Sequence, residues 1–353
     1  MNHTFHIPVL GLGYSVDTPL KVAKFGLSSV VSIVDDELAE RMRKFHSEKN
    51  GETFIPINKT EDNSRARRIT AYLNLLNRLI NQQLEQLKQQ VFEAGTEIIQ
   101  YFELLPETSA LKIKYVAMLE QNEPIKKLLL QEELRNSITA GAIDVNIMSK
   151  VDKANYNAAG DYLGEEYTDA LAALRGFAQS DLHSAVVISA GLNPRLYAYL
   201  ENLPEFYPDK NSIFNKKIIL KVSDFRSAQI QAKILAKKGI WVSEFRIESG
   251  LNCGGHAFAT DGFLLGPILE EFKQKRIPLA AELYDIYAAA LSSKNIATAG
   301  IPEQRITAQG GIGTAEEDRF LMNYYQLDAT GWGSPFLLVP EIIWWKNHTC
   351  GQF

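Results

Sequence analysis

Eight short β-rich runs recur along this chain of 353 residues, and most are followed by a helix-like segment. They fall at residues 6–13 (HIPVLGLG), 28–36 (SSVVSIVDD), 142–150 (AIDVNIMSK) and 183–191 (HSAVVISAG). The other four are residues 216–224 (KKIILKVSD), 240–250 (IWVSEFRIESG), 304–311 (QRITAQGG) and 326–336 (QLDATGWGSPF). Most are nearly continuous apolar runs, which suits parallel strands covered on both faces. Alternation of β and α points to the α/β class, and a count of eight favours a closed (β/α)₈ TIM barrel over an open sheet.

One region breaks the rhythm. Between the second and third runs, residues 37–140 carry almost no strand signal. Within them Ile69, Leu73, Leu76, Ile80, Leu84, Leu87 and Val91 recur at spacings of three and four, an apolar stripe along one long helix. Two further helical stretches follow, SALKIKYVAMLEQ and PIKKLLLQEELRNSI. These residues are expected to form a helical insertion, with the stripe packing on its own helices or on the barrel. A homodimer contact is the other use for such a face. The barrel is then residues 1–36 and 141–341, and residues 342–353 form an atypical C-terminal tail with the pair Trp344 and Trp345.

Composition bounds the partners. The formal net charge of -5 and pI near 5.8 give no basic footprint for nucleic acid. No run reaches the roughly 18 apolar residues that a membrane span needs. The N-terminal MNHTFHIPVLGLGYS lacks the basic start and long apolar core of a signal peptide. Two cysteines, Cys253 and Cys350, make no disulfide framework and fit a reducing compartment. The expectation is a soluble, cytoplasmic protein.

In such a barrel the chemistry sits at the C-terminal ends of the strands. Those ends carry GLGYS after the first run, Asn146 in the third, and Lys221 and Ser223 in the fifth. The sixth leads into SGLNCGGHAF, the seventh into QGGIGT, and the eighth into GWGS. Gly310, Gly311 and Gly313 are expected to leave backbone N–H groups free for an anion, with TAEED opening a helix behind them. Gly333 and Ser334 would add donors from the next strand. GLGYSV is not a dinucleotide fingerprint, because Val16 stands where the third glycine belongs. In SGLNCGGHAF, Gly254 and Gly255 remove two Cβ atoms where a flat ligand could approach. His256 then follows at the edge of that space, a group that titrates near neutral pH. Cys253 lacks companions for a metal site and reads as inert.

The ordered motifs IPVLGLGYSVDTPLKVAKFG, DVNIM, VSDFRSAQ, ESGLNCGGH, ITAQGGI and DATGWGSPF resemble the nitronate monooxygenase family, formerly called 2-nitropropane dioxygenase. That family includes FMN-dependent enoyl-acyl-carrier-protein reductases, and its members are FMN-binding TIM barrels. The resemblance implies an FMN phosphate site at Gly310, Gly311, Gly333 and Ser334. It places Gly11, Leu12 and Gly13 along the isoalloxazine and Asn146 beside the flavin. Lys221, Gly254 and Gly255 are grouped with the cofactor-binding residues, and His256 is the catalytic proton donor or acceptor. The substrate would be a small or acyl compound, with NAD(P)H or O₂ as redox partner. Two alternatives stay open from the residues alone. One is a non-catalytic barrel used as a scaffold or binding module. The other is a flavin-free phosphate-binding enzyme, for which Lys221 is the candidate Schiff-base lysine.

Overall fold

The computed structural model describes residues 3–11, 13–149, 152–157, 159–189, 191–248 and 264–337. Its eight strands are β1 (Phe5–Ile7), β2 (Ser28–Ile33), β3 (Ile143–Ile147), β4 (Ala185–Ile188), β5 (Lys217–Val222), β6 (Val242–Glu248), β7 (Arg305–Gln309) and β8 (Ala329–Gly331). They pair in chain order, all parallel, and β1 pairs with β8 to close the barrel. Seven of the eight runs read from the sequence contain one strand each, and the first overlaps β1, which begins one residue earlier at Phe5. The observed strands are shorter, and the residues left over are mostly the loops at their C-terminal ends. Glycine and polar residues there leave the ladder to build the mouth.

Side chains alternate between two environments, as strand geometry requires. Val31, Ile33, Val145, Ile147, Val186, Ile188, Ile218, Leu220, Phe245 and Ile247 join the main apolar cluster with the surrounding helices. Their neighbours along each strand face the barrel axis. The covering helices include α1 (Thr18–Val22), α7 (Asp169–Ala178), α8 (Pro194–Leu200), α9 (Phe225–Ala236), α10 (Leu265–Ser293) and α11 (Ala315–Tyr324).

Between β2 and β3 lie α2 (Asp36–Lys49), α3 (Ser64–Lys88), α4 (Glu97–Glu103), α5 (Ala110–Glu120) and α6 (Pro124–Asn136). The apolar stripe of α3 serves two cores. Ile69, Leu73, Leu76 and Ile80 pack into the barrel's main cluster, beside Phe177 of α7. Gly176 of α7 allows this approach, since a Cβ there would lie 2.8 Å from the Ala66 carbonyl oxygen. Thr70 fastens the seam by donating to the Gly176 carbonyl at 2.8 Å. Further along, Leu84 and Leu87 enter a second cluster with Ile98, Tyr101, Phe102, Tyr115, Met118 and Leu134 from α4, α5 and α6. The stripe ends there, because Val91 lies beyond the helix and is exposed. So α3 is the β2-to-β3 crossover helix of the barrel, and its last turns carry a satellite core.

The satellite core returns to the barrel through Gly141. A Cβ on this residue would sit 2.1 Å from the Leu27 carbonyl oxygen and 2.6 Å from the Ser28 nitrogen. Its own N–H donates to the Ala23 carbonyl at 2.8 Å. The approach is backbone to backbone, so no side chain can yield. Gly141→Ala should therefore destabilise the fold by about 3 kcal/mol or more. The urea midpoint of the variant against wild type measures it, and an unchanged midpoint would show that the β2–β3 approach can open.

Candidate active site

The inward face of the barrel is divided. Val30, Ala185, Val187 and Ile219, from β2, β4 and β5, form a small apolar cluster with Val9 packed on it. The remaining strands send in charge and hydrogen-bonding groups. Along β6 the inward residues are Glu244, Arg246 and Glu248, at the period of two that a strand imposes.

Deepest is a buried ion cluster. The Arg246 guanidinium meets Glu244 Oε1 at 2.8 Å and, across the barrel, Asp144 Oδ2 of β3 at 3.5 Å. Thr307 donates its hydroxyl to Glu244 Oε1 at 2.7 Å, and Arg305 reaches the other carboxylate oxygen at 3.3 Å. Burial by itself pushes both carboxyls up. For Glu244, attraction by Arg246 leads the opposing influences and holds the group at about 2. For Asp144, burial wins and its carboxyl is raised, despite Arg246. One cation thus binds two acids unequally. His6 of β1 faces the same interior, and burial followed by the repulsion of Arg246 lowers it from 6.5 to about 3. It is therefore a neutral imidazole at physiological pH.

Above this cluster, toward the C-terminal ends of the strands, a second polar row crosses four strands. Lys221 Nζ lies 3.3 Å from both carboxylate oxygens of Glu248. Gln309 donates its amide to Glu248, and its oxygen meets His6 Nε2 at 3.4 Å. Lys221 and Glu248 are only partly shielded, at 24% and 17% side-chain exposure, so this row is the floor of the mouth. Asn146, on β3, faces inward beside Ser32 at a long 3.5 Å. Nearby, the Ser149 and Ser189 hydroxyls meet at 2.6 Å and Asn193 donates to the Ser149 carbonyl at 2.8 Å. At the rim, Gly331 leaves room for this row. A Cβ there would come within 2.7 Å of Gln309 Cβ and 2.9 Å of His6 Nε2.

The glycines after β7 and β8 behave in two ways. Gly310 and Gly311 both adopt left-handed backbone, with φ of 89° and 75°, a conformation costly for other residues. Their amide N–H groups have no hydrogen-bond partner among the described residues, nor has that of Gly333. Gly313 differs from expectation. Its N–H donates to Glu317 Oε2 at 2.9 Å, and the Thr314 N–H does the same. Thr314 and Glu317 form a reciprocal capping box, so the N-terminus of α11 is already matched by its own carboxylate. Of the N–H groups expected to be free for an anion, those of Gly310, Gly311 and Gly333 have no partner among the described residues, whereas the N-terminus of α11 is taken by Glu317. Ser334 begins α12 (Ser334–Leu337), directly after Gly333.

Gly11 and Gly13 flank the exit of β1. Gly333 packs against that exit, since its absent Cβ would lie 3.6 Å from Leu10 Cδ2 and 3.8 Å from Pro8 Cγ. Two helices of the β2–β3 segment hold the far side of the same loop. Tyr72 of α3 donates to the Val16 carbonyl, and His46 of α2 lies 3.3 Å from the buried Asp17. Leu12, Gly254, Gly255 and His256 lie outside the described residues, as does Cys253. Glu248 is the last described residue before the SGLNCGGHAF loop. Asn146, Lys221, Gly310, Gly311 and Gly333 thus share one end of the barrel.

Sequence reasoning missed His6, Asp144, Glu244, Arg246, Glu248 and Gln309. A signal was present: Glu244, Arg246 and Glu248 alternate with Phe245 and Ile247 in a strand expected to be buried on both faces. A charge at every second position of such a strand belongs to a polar barrel interior. Among the described residues no group of three or more His, Cys, Asp or Glu could hold a metal ion. No helix among them is long and apolar enough to cross a membrane. No protein-family model matches the chain, and no curated protein is detectably similar to it.

Two outcomes follow from the ion cluster. Arg246→Met leaves two carboxyls buried without their cation and should cost about 3–5 kcal/mol in unfolding free energy. A urea titration showing a loss below 1 kcal/mol would mean that water replaces the guanidinium. His6 binds its proton more weakly in the fold than in the unfolded chain. As pH falls below 6.5 toward 3, the unfolded state takes up a proton that the folded state refuses, and stability drops. The slope from this one group approaches about 1.4 kcal/mol per pH unit. His6→Asn should flatten the wild-type stability profile between those limits, and superimposable profiles would show that His6 is not held neutral.

Proposed function

We propose that the chain is an FMN-dependent oxidoreductase of the nitronate monooxygenase type, acting on a small or acyl substrate in the cytoplasm. The observation that carries this reading is the pair of left-handed glycines Gly310 and Gly311 at the end of β7. Their amides, like that of Gly333 at the end of β8, have no partner among the described residues and would form a neutral donor cradle of the kind that phosphate groups occupy in these barrels. The fit is to a phosphate held by backbone, since the neighbouring helix end is taken by Glu317.

FMN would supply the two-electron redox centre, with NAD(P)H or O₂ as its partner. This chain's own residues do the rest. Gly310, Gly311, Gly333 and Ser334 would hold the phosphate, Gly11, Leu12 and Gly13 would line the ring, and Gly254 and Gly255 would belong to the same cofactor-binding set. Asn146 offers its amide at the mouth, and Lys221 with Glu248 forms the charged floor. His256 holds or takes the substrate proton. His6 is kept neutral by burial and belongs to the floor instead.

A visible absorption spectrum of the purified protein, before and after adding FMN and desalting, tests the reading. A retained flavin spectrum is expected, lost in Gly311→Val. His256→Ala should keep the flavin and lose about 10²- to 10⁴-fold in turnover, the usual size of an acid–base contribution. A colourless protein that cannot retain added FMN overturns the reading.

A further inference from the structure

The apolar stripe of α3 is taken up by two cores, so a contact between copies of this chain needs another face. The helices α5 and α6 carry one. Leu111, Tyr115 and Met118 of α5, and Leu130 and Leu134 of α6, turn into the satellite core. Yet Ile113, Val116 and Leu119 of α5 are exposed, and Ile125, Leu128 and Leu129 of α6 are 70%, 65% and 61% exposed. Apolar residues on both sides of a helix belong to a helix covered on both sides. On α6 the exposed three follow the spacing i, i+3, i+4, which makes one continuous face. An apolar face of this kind on a folded surface marks a contact with another molecule.

The charges identify that molecule. Acids stabilise the start of a helix and bases its end. Both helices reverse this order, and neither has an acid in its first turn. α5 opens with Lys112 and Lys114 and closes with Glu120, whereas α6 opens with Lys126 and Lys127 and carries Glu132 and Glu133 later. Arg135, the base in the last turn of α6, is turned back onto the Lys88 and Gln90 carbonyls. Such an order suits an antiparallel neighbour with the same order. One instance lies within the chain, where α5 and α6 run antiparallel and Lys114 pairs with Glu133. Lys126 and Glu133 are two turns apart and so share one flank of the exposed face of α6. A two-fold axis across the middle of α6 brings this flank against its own copy, lysine to glutamate in both directions. The present partners leave room for this exchange, since the Lys126–Glu123 and Lys114–Glu133 pairs are exposed and pairs of that kind are weak.

We propose that this chain forms a two-fold homodimer through the outer face of α5 and α6. α6 lies antiparallel to its copy, with Ile125, Leu128 and Leu129 at the centre and Lys126 facing Glu133 of the partner subunit. The contact is remote from the flavin reading and stands or falls without it.

Sedimentation equilibrium of the full chain tests it. Wild type should be dimeric at about 100 μM, as a micromolar association requires. Leu128→Glu should be monomeric at the same concentration with an unchanged far-UV circular dichroism spectrum, because the side chain is exposed in the monomer. Lys126→Glu and Glu133→Lys should each weaken dimerisation by about tenfold or more, since like charges then face each other twice. Mixed in equal amounts, these two variants should associate again, because one supplies acids and the other bases at both positions. A purely structural role for the charges gives no such recovery. A monomeric wild type, a dimer that survives Leu128→Glu, or a mixture that associates no better than its components overturns the proposal. A monomeric wild type that binds vesicles of phosphatidylcholine and phosphatidylserine would assign the face to a lipid surface instead. If Glu133→Lys does not fold for loss of the Lys114 pair, Leu128→Glu and Lys126→Glu still decide it.

Discussion

A guanidinium sealed from water has to find carboxylates within the protein, and in this barrel it finds them on strands far apart in the chain. Arg246 sits on β6 and reaches Glu244 on its own strand and Asp144 on β3, on the other side of the barrel interior. Arg305 and Thr307 of β7 complete the shell around Glu244. Such a cluster adds little net stability over an apolar core, because desolvation offsets attraction. Its effect is on alternatives. A register slip of one residue would turn these charges toward the helices and leave them unmatched, so the cluster penalises any barrel closed in another register.

The polar interior also shapes what lies above it. With the lower barrel filled by neutralised charge, the mouth inherits a floor of Lys221, Glu248, Gln309 and His6 rather than aliphatic side chains. The apolar residues that a barrel core ordinarily uses are confined to β2, β4 and β5. These four, Val30, Ala185, Val187 and Ile219, lie buried inside the barrel with Val9 packed over them, so the Lys221–Glu248 row alone is partly open to solvent. Gly310, Gly311 and Gly333 add backbone N–H groups that have no partner among the described residues. Two helices of the β2–β3 segment, α2 and α3, hold the outer side of the loop after β1 through His46 and Tyr72. The segment between β2 and β3 is thereby tied to the mouth as well as to the satellite core below.

The eight strands, their order and the parallel closed sheet were legible because each strand lies in or against a run of local pattern eight to eleven residues long. The long helix was legible in the same way. The glycines read after the seventh and eighth runs lie at the C-terminal ends of β7 and β8. Gly313 was misread, because a glycine in a G-x-G loop says nothing about whether a nearby Glu317 has claimed its amide. The buried Asp144 of β3 was passed over, since a single charge in an apolar run does not say which way it faces, whereas the alternation of Glu244, Arg246 and Glu248 in β6 was legible and was missed.

What the sequence alone determined is therefore everything with a short period: strand against helix, the count of eight, and the face that α3 buries. These depend on φ/ψ preference and side-chain alternation within one segment. What only the tertiary structure decided is everything that closure brings together. Asp144 and Arg246 are 102 residues apart and meet only because β1 pairs with β8 and turns their strands inward. Lys221, Glu248 and Gln309 become one row because the register of β5, β6 and β7 places them at neighbouring heights. The division of the α3 stripe between two cores depends on where α7 and α4 arrive, which no property of α3 encodes.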